Sequence, residues 1–132
     1  MINPGRKVKK KILIIENDHD IRDIVELILA EEGFDTLSMA EPETLDIVIQ
    51  FKPHLILIDE FINSKPGHRL CRKIKQKTDL NQIPVIILST ANDIELIAEE
   101  CSANDFVSKP FDISILVDKV IRIIDGQPLP QN

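Results

Sequence analysis

The sequence has no Trp and no Tyr, and its five Phe account for the whole aromatic content of 4%. Such a chain lacks the aromatic surfaces on which nucleic-acid bases stack. Positive charge is also scarce, because 16 Lys and Arg stand against 22 Asp and Glu, for a net charge of −6. Phosphate backbones are bound by positive surfaces, so this balance argues against DNA or RNA as the main partner.

Long apolar runs are missing as well. The longest, Ile83–Leu88, contains a proline, so we expect no membrane span, and no apolar segment of a secretory signal follows the basic start. The two cysteines, Cys71 and Cys101, show no metal-binding or redox spacing. We interpret them as small buried side chains of a protein from the reducing cytoplasm.

The 132 residues, 43% apolar and 29% charged, predict one globular domain with a substantial core. Five positive charges precede the first predicted strand, so we interpret residues 1–10 as a solvated basic arm and residues 11–125 as the domain. Residues 126–132 contain two prolines that cannot continue a helix, and they are either a free terminus or the start of a linker.

Two periodicities alternate along the chain. Short continuous apolar runs, typical of strands buried on both faces, occur at 12–15, 55–58 and 85–88, with weaker strand candidates at 34–39 and 106–107. Helical spacing of apolar residues separates them, as in the stripe Ile21, Ile24, Val25, Ile28 and Leu29, which ends at Gly33. A second long stripe starts behind Asp112, a natural N-cap, and shorter ones follow Pro42, Gly67 and Asp93.

This alternation predicts an α/β fold of five strand–helix units, (βα)₅. Right-handed crossovers then place helices on both faces of a doubly wound, parallel five-stranded sheet. Function in such sheets collects at the carboxyl ends of the strands. There the chain carries carboxylates, hydroxyls and one ammonium, in the segments Glu16-Asn17-Asp18, Asp59-Glu60, Ser89-Thr90 and Ser108-Lys109-Pro110.

Several carboxylates about 4 Å apart repel one another by a few kcal/mol unless a cation lies between them. Hard oxygen ligands favour Mg²⁺, which readily bridges a phosphate. A divalent ion, the Lys109 ammonium, a hydroxyl and one exposed carboxylate together predict a phosphoryl-transfer site in which the carboxylate is the nucleophile.

The chain resembles the receiver domain of bacterial two-component response regulators over about residues 11–125. The segments that carry the resemblance are KILIIENDHDIRDIV (11–25), PHLILIDE (53–60), PVIILSTA (84–91) and DFVSKPF (105–111). Each is weak alone, but together and in this order they are highly specific. The resemblance implies a flavodoxin-like sheet with strand order 2-1-3-4-5.

The resemblance also implies a role for each residue that matches the motifs. Asp59 corresponds to the phosphoacceptor, which takes its phosphoryl group from a phosphohistidine. Glu16 and Asn17 correspond to the metal-binding pair, with Asp59 and the backbone carbonyl of Phe61 completing the Mg²⁺ ligands. Ser89 and Lys109 correspond to the groups that bind the phosphoryl, and Phe106 to an aromatic rotamer switch. Pro110 corresponds to a proline after a cis peptide bond that aims Lys109 inward, Gly67 to a glycine eight residues beyond the acceptor, and Asp18 and Thr90 to supporting positions.

The implied function is a cytoplasmic signalling switch rather than an enzyme. A sensor histidine kinase or phosphotransfer protein is the implied donor. The surface of the fourth helix, fifth strand and fifth helix is the implied contact for an output partner or a homodimer. No output module is visible, so we expect a stand-alone receiver or a fragment of a longer chain, with no direct nucleic-acid or membrane partner.

Asn17 departs from the family pattern, which usually has an acid there. Losing one charge beside Mg²⁺ weakens binding by about 1–3 kcal/mol, unless Asp18 or Glu16 compensates. An interaction-only receiver that binds neither metal nor phosphate is therefore the alternative. Glu60 replaces a usually apolar residue, and Ser102 replaces a common glycine. Phe61 and Thr90 are bulky beside the acceptor, which predicts a long-lived aspartyl phosphate.

Two enzyme or carrier classes fit less well. A flavin-binding carrier of similar topology needs a hydroxyl- and glycine-rich phosphate loop, where this chain has Glu16-Asn17-Asp18. A hydrolase of the haloacid-dehalogenase type expects a second Asp two residues after the nucleophile, where this chain has Phe61. Among the histidines, His19 lies beside the acidic cluster, but we interpret it as a solvated residue at a helix start.

Overall fold

The computed structural model describes residues 9–41, 45–62 and 65–126. It contains five sheet strands: β1 (Lys11–Ile15), β2 (Asp35–Met39), β3 (Leu55–Asp59), β4 (Val85–Ser89) and β5 (Asp105–Ser108). The five helices are α1 (His19–Glu31), α2 (Asp46–Phe51), α3 (Gly67–Gln76), α4 (Ile94–Glu100) and α5 (Ile113–Ile124). Most of the predicted basic arm and C-terminal tail lies outside the described residues.

The five strands form one parallel sheet in the order β2-β1-β3-β4-β5, which confirms the predicted fold class and strand order. The register pairs Asp59 at the end of β3 with Leu88 of β4, and it pairs Ser89 with Ser108 of β5. Glu16 follows β1 directly. The carboxyl ends of β1, β3, β4 and β5 therefore meet at one edge of the sheet.

The hydrophobic core has two halves, one on each face of the sheet. Alternating residues of the central strands feed opposite halves, since side chains of a strand point to its two faces in turn. Leu13 and Ile56, for example, pack on the side that α2, α3 and α4 cover, whereas Ile12 and Leu57 pack on the side of α1 and α5. Both faces of the sheet are thus covered, as the continuous apolar runs predicted.

The helix boundaries follow local chemistry. Asp18 caps α1, because its side chain accepts from the backbone N–H groups of Asp20 and Ile21, and Asp112 caps α5 in the same way through Ser114. Gly33, at φ +95°, ends the α1 segment in a left-handed conformation that suits glycine. Ser102 adopts φ +63° before β5. This conformation is a physical reason why a glycine is common at that position.

Three details differ from the sequence-based expectation. Ile24 of α1 was predicted on a buried stripe, and Ile49 of α2 belongs to the short stripe predicted after Pro42, but they are 52% and 43% exposed. The reason is geometric: the sheet covers only a narrow stripe of each helix, centred on Val25 and Val48, which are buried. The structure also has an antiparallel hairpin of Phe61–Ile62 with Lys65–Pro66, whose two-residue strands are too short to show a periodicity.

Within the described ranges, no helix is long and apolar enough to cross a membrane.

Candidate functional site

The edge formed by the strand ends brings together the buried polar side chains that the sequence singled out. Glu16 is 0% exposed, Asp59 6% and Ser89 1%. Burial of carboxylates costs free energy unless other groups compensate them, so these residues occupy the edge for a chemical reason rather than a packing one. Asn17, Asp18 and Thr90 lie beside them and are exposed to solvent.

Lys109 connects the two buried acids. Its Nζ donates a hydrogen bond to Asp59 Oδ1 at 3.1 Å and lies 2.6 Å from Glu16 Oε1. The backbone N–H of Lys109 donates to the carbonyl of Ser89 at 2.7 Å, which fastens the end of β5 to the end of β4. The Lys109–Pro110 peptide bond is cis, as the resemblance implied. The Lys109 ammonium thus contacts both carboxylates, Glu16 and Asp59, in a pocket that excludes most water.

Glu16 is the most perturbed acid of this cluster. Burial is the main reason that its pKa is raised from 4.5 to about 7. A side-chain hydrogen bond with Asp59 raises the pKa further, whereas Lys109 and the backbone N–H of Asp18 lower it. The latter donates to Glu16 Oε2 at 3.1 Å. Near neutral pH, Glu16 can therefore keep a proton beside the Asp59 side chain.

The donor set fits a hard cation such as Mg²⁺. Two carboxylates, Glu16 and Asp59, touch each other, and Glu16 Oε1 has no hydrogen-bond partner with good geometry among the described residues. A divalent ion would replace the proton of Glu16 and use that oxygen. No group of three His, Cys, Asp or Glu side chains in the described ranges could hold a metal. The remaining ligands would therefore have to be neutral oxygens, such as those of Asn17 and Phe61.

The other predicted site residues are placed around this acid pair. Ser89 Oγ accepts a hydrogen bond from the N–H of Ala91 at 3.0 Å, so the hydroxyl is engaged in the turn after β4. One carboxylate oxygen of Asp18 is occupied by capping α1, with N–H donors at 2.9 and 3.2 Å. Phe106 of β5 is half-buried, and Lys119 of α5 lies over its ring at 5.6 Å from the centroid.

Gly67 at the start of α3 packs against the backbone of the acceptor strand. A Cβ at this position would lie 2.8 Å from Ile58 Cγ2 and would collide with the carbonyl oxygen of Asp59. The N–H of Gly67 donates to the carbonyl of Glu60. Only a residue without a side chain allows this close approach, which explains the glycine eight residues after Asp59.

Two functional candidates were missed from the sequence. Glu60 is 3% exposed, and its Oε1 lies 2.5 Å from Nδ1 of His68. The sequence held one sign of this contact, because Glu60 is a charged residue where an apolar one is usual, directly after Asp59. His19, in contrast, lies exposed at the start of α1, where it pairs with Asp23 at 3.2 Å, as expected of a solvated residue.

Comparison with known proteins decides the family. The sequence model of the response regulator receiver domain matches residues 12–121. The chain belongs to the response regulator receiver family. The general function of such receiver domains is signalling through phosphorylation, typically with Mg²⁺ at the phosphorylation site and with histidine kinases and output domains as partners.

Solved structures of receivers share the fold. The chain is 30% identical, with a TM-score of 0.79, to the signal receiver domain of a signal transduction histidine kinase from Syntrophus aciditrophicus, and the match covers 93% of this chain and 96% of that one. It is 26% identical, with a TM-score of 0.82, to a response regulator from Chloroflexus aurantiacus, over 89% and 99% of the two chains. NtrX from Brucella abortus is 28% identical with a TM-score of 0.77, and the match covers 90% of this receiver but 28% of NtrX.

Proposed function

We propose that this receiver accepts a phosphoryl group on Asp59 and passes the signal on through a change of surface shape. The observation that carries the proposal is the meeting of the Asp59 carboxylate with the Lys109 ammonium, at 3.1 Å, beside the buried acid Glu16. These three groups come from the ends of three different strands. A nucleophile, a cation for the developing phosphoryl charge and an acid that can hold a metal are the parts that phosphoryl transfer needs.

In the proposed reaction, a carboxylate oxygen of Asp59 attacks the phosphorus atom of a phosphohistidine on the donor protein. The phosphorus–nitrogen bond breaks, and the histidine leaves with the electron pair and takes a proton. Lys109 and the hydroxyl of Ser89 would stabilise the oxygens of the transferred group. Glu16, Asn17, Asp59 and the Phe61 carbonyl would hold Mg²⁺, which when bound neutralises negative charge on the phosphoryl oxygens. The protein is then a stoichiometric acceptor and not an enzyme.

The proposed output surface is formed by α4, β5 and α5. A phosphoryl group on Asp59 would attract Ser89 and Lys109, move the turn after β4 and let Phe106 turn inward, as a shift between two populated states. Two of these elements carry an exposed large apolar side chain, with Leu96 of α4 and Ile115 of α5 each 53% exposed. A cytoplasmic output protein, an output domain or a second copy of the chain would bind there.

Acetyl phosphate with Mg²⁺ tests the proposal. We expect the intact mass to increase by one phosphoryl group in the wild-type protein, and to stay unchanged when Mg²⁺ is chelated. Asp59→Asn is the matched control, because it keeps the size of the side chain and removes the nucleophile. Labelling of the Asp59→Asn protein at the wild-type rate would refute the assignment of the acceptor.

Asn17 favours one alternative, a receiver that interacts without being phosphorylated. Its neutral side chain stands where the family usually has a charged ligand, and it is exposed at the edge of the site. In that case neither Mg²⁺ nor acetyl phosphate would change the protein, and Asn17→Asp would restore Mg²⁺ binding measured by titration calorimetry. Phosphorylation of the wild-type protein would exclude this alternative.

A further inference from the structure

Glu60 is a carboxylate in an unusual place. It follows Asp59 directly, it is 3% exposed, and both of its backbone polar groups are bonded. Its N–H donates to the carbonyl of Leu88 at 2.8 Å, and its carbonyl accepts from the N–H of Gly67. The residue is therefore fixed between β4 on one side and the start of α3 on the other.

Among the described side chains, that of His68 compensates Glu60. Oε1 lies 2.5 Å from Nδ1 of His68, and Oε2 has no hydrogen-bond partner within the described residues. Among the ion pairs of the described side chains, none joins Glu60 to a lysine or an arginine. At such a distance a hydrogen bond joins the two atoms, so His68 compensates one oxygen of the carboxylate. Without His68, a buried negative charge would be left beside Asp59.

The contact between Glu60 and His68 also joins the end of β3 to the start of α3. Glu60 directly follows β3, and His68 lies in the first turn of α3. The hairpin pairing of Phe61–Ile62 with Lys65–Pro66 lies between them. The side-chain contact between Glu60 and His68 and the backbone bond between Glu60 and Gly67 hold the two ends of this hairpin together. The hairpin begins with Phe61, so these contacts lie on both sides of the backbone that follows the acceptor.

We propose that Glu60 and His68 are positioning residues for the phosphoacceptor. His68 compensates the carboxylate next to Asp59, and the pair holds the backbone of Glu60, after β3, against that of Gly67, at the start of α3, in the geometry that phosphoryl transfer to Asp59 requires. This inference rests on the proposed function, because it explains how the acceptor is held and not what it accepts.

The test compares the initial rate of labelling by acetyl phosphate at saturating Mg²⁺ in folded variants. His68→Leu leaves Glu60 unpaired and should slow labelling by about tenfold or more, since small displacements of a reacting group are costly. His68→Gln keeps a hydrogen-bond donor and should slow labelling less. It is the variant to be measured if His68→Leu does not fold. The double variant Glu60→Leu/His68→Leu removes the charge with its partner and should recover the part of the lost rate that the unpaired charge causes. Arg69→Leu, an exposed neighbour on the same helix turn, is the matched control and should label like wild type.

Recovery in the double variant separates an unpaired charge from simple loss of packing, which would make the double variant slower still. Wild-type labelling rates in folded His68→Leu or His68→Gln protein, or no recovery in the double variant, would overturn the inference. A second measurement is hydrogen exchange of the Gly67 amide, which should be faster in His68→Leu or in its replacement His68→Gln. If the wild-type protein takes up no phosphoryl group, the proposed function fails. In that case the hydrogen exchange of the Gly67 amide decides the inference, and an unchanged exchange rate in the His68 variant would overturn it.

Discussion

Glu16 should make the folding stability of this protein fall as the pH rises from 4.5 to 7. Burial raises the pKa of its carboxyl from 4.5 to about 7 in the folded chain. A carboxyl whose pKa is higher in the folded than in the unfolded state favours folding while it keeps its proton. That contribution is fully present below pH 4.5, and it is lost as the pH rises through about 7.

The magnitude follows from the two pKa values. The two pKa values differ by about 2.5. At 1.36 kcal/mol for each unit of pKa difference, this corresponds to about 3 kcal/mol of unfolding free energy. Lys109, whose Nζ lies 2.6 Å from Glu16 Oε1, already lowers the pKa, so the loss would be larger without it.

Urea unfolding followed by circular dichroism measures the effect, because the chain has no Trp or Tyr to report by fluorescence. Glu16→Gln is the control, since the amide is of similar size and does not titrate. We expect wild type to lose about 3 kcal/mol relative to Glu16→Gln between pH 4.5 and pH 8. Added Mg²⁺ should restore stability to wild type at the upper end of this range. A difference between the two proteins that stays constant across the range would refute the reasoning.

Three further predictions concern single residues of the site. Lys109→Met should destabilise the protein by about 3–5 kcal/mol at pH 7, because it removes the cation from two buried acids, and an unchanged unfolding midpoint in urea would contradict this. Gly67→Ala should cost about 1–3 kcal/mol in the same measurement, because the added Cβ collides with the Asp59 carbonyl, whereas an exposed-site control such as Arg69→Ala should cost little. Phe61→Asn and Thr90→Ala should each shorten the lifetime of the aspartyl phosphate. This lifetime is measured as the decay of the phosphorylated mass after acetyl phosphate is removed. Lifetimes equal to that of wild type would show that neither side chain hinders the hydrolytic water.

Much of the architecture could be predicted from local patterns. The runs 12–15, 55–58 and 85–88 became strands buried on both faces, because only a sheet covered by helices on both sides can hide such continuous apolar segments. Asp18 and Asp112 became helix caps, as their short acceptor side chains favour. The extent of each buried stripe could not be predicted, as Ile24 shows, since it depends on how closely a helix approaches the sheet.

The candidate site was predictable as a set of residues but not as an arrangement. The order of the strands brings Glu16, Asp59 and Lys109 to one edge, and that much follows from a parallel alternating fold. The link from Lys109 to Glu16 at 2.6 Å, and the shift of the Glu16 pKa, depend on side-chain distances and burial that no spacing encodes. Glu60 and His68 are eight residues apart and match no motif, so only their contact in space reveals them.

The amino-acid sequence alone determined which residues could do the chemistry of this receiver, because residue type, strand pattern and motif order are local properties of a chain. The tertiary structure alone decided which carboxyl keeps a proton, which ammonium it faces and which histidine compensates a buried charge. The physical reason is that electrostatic energies depend on distance and on exclusion of water, and both are set only when remote segments pack together.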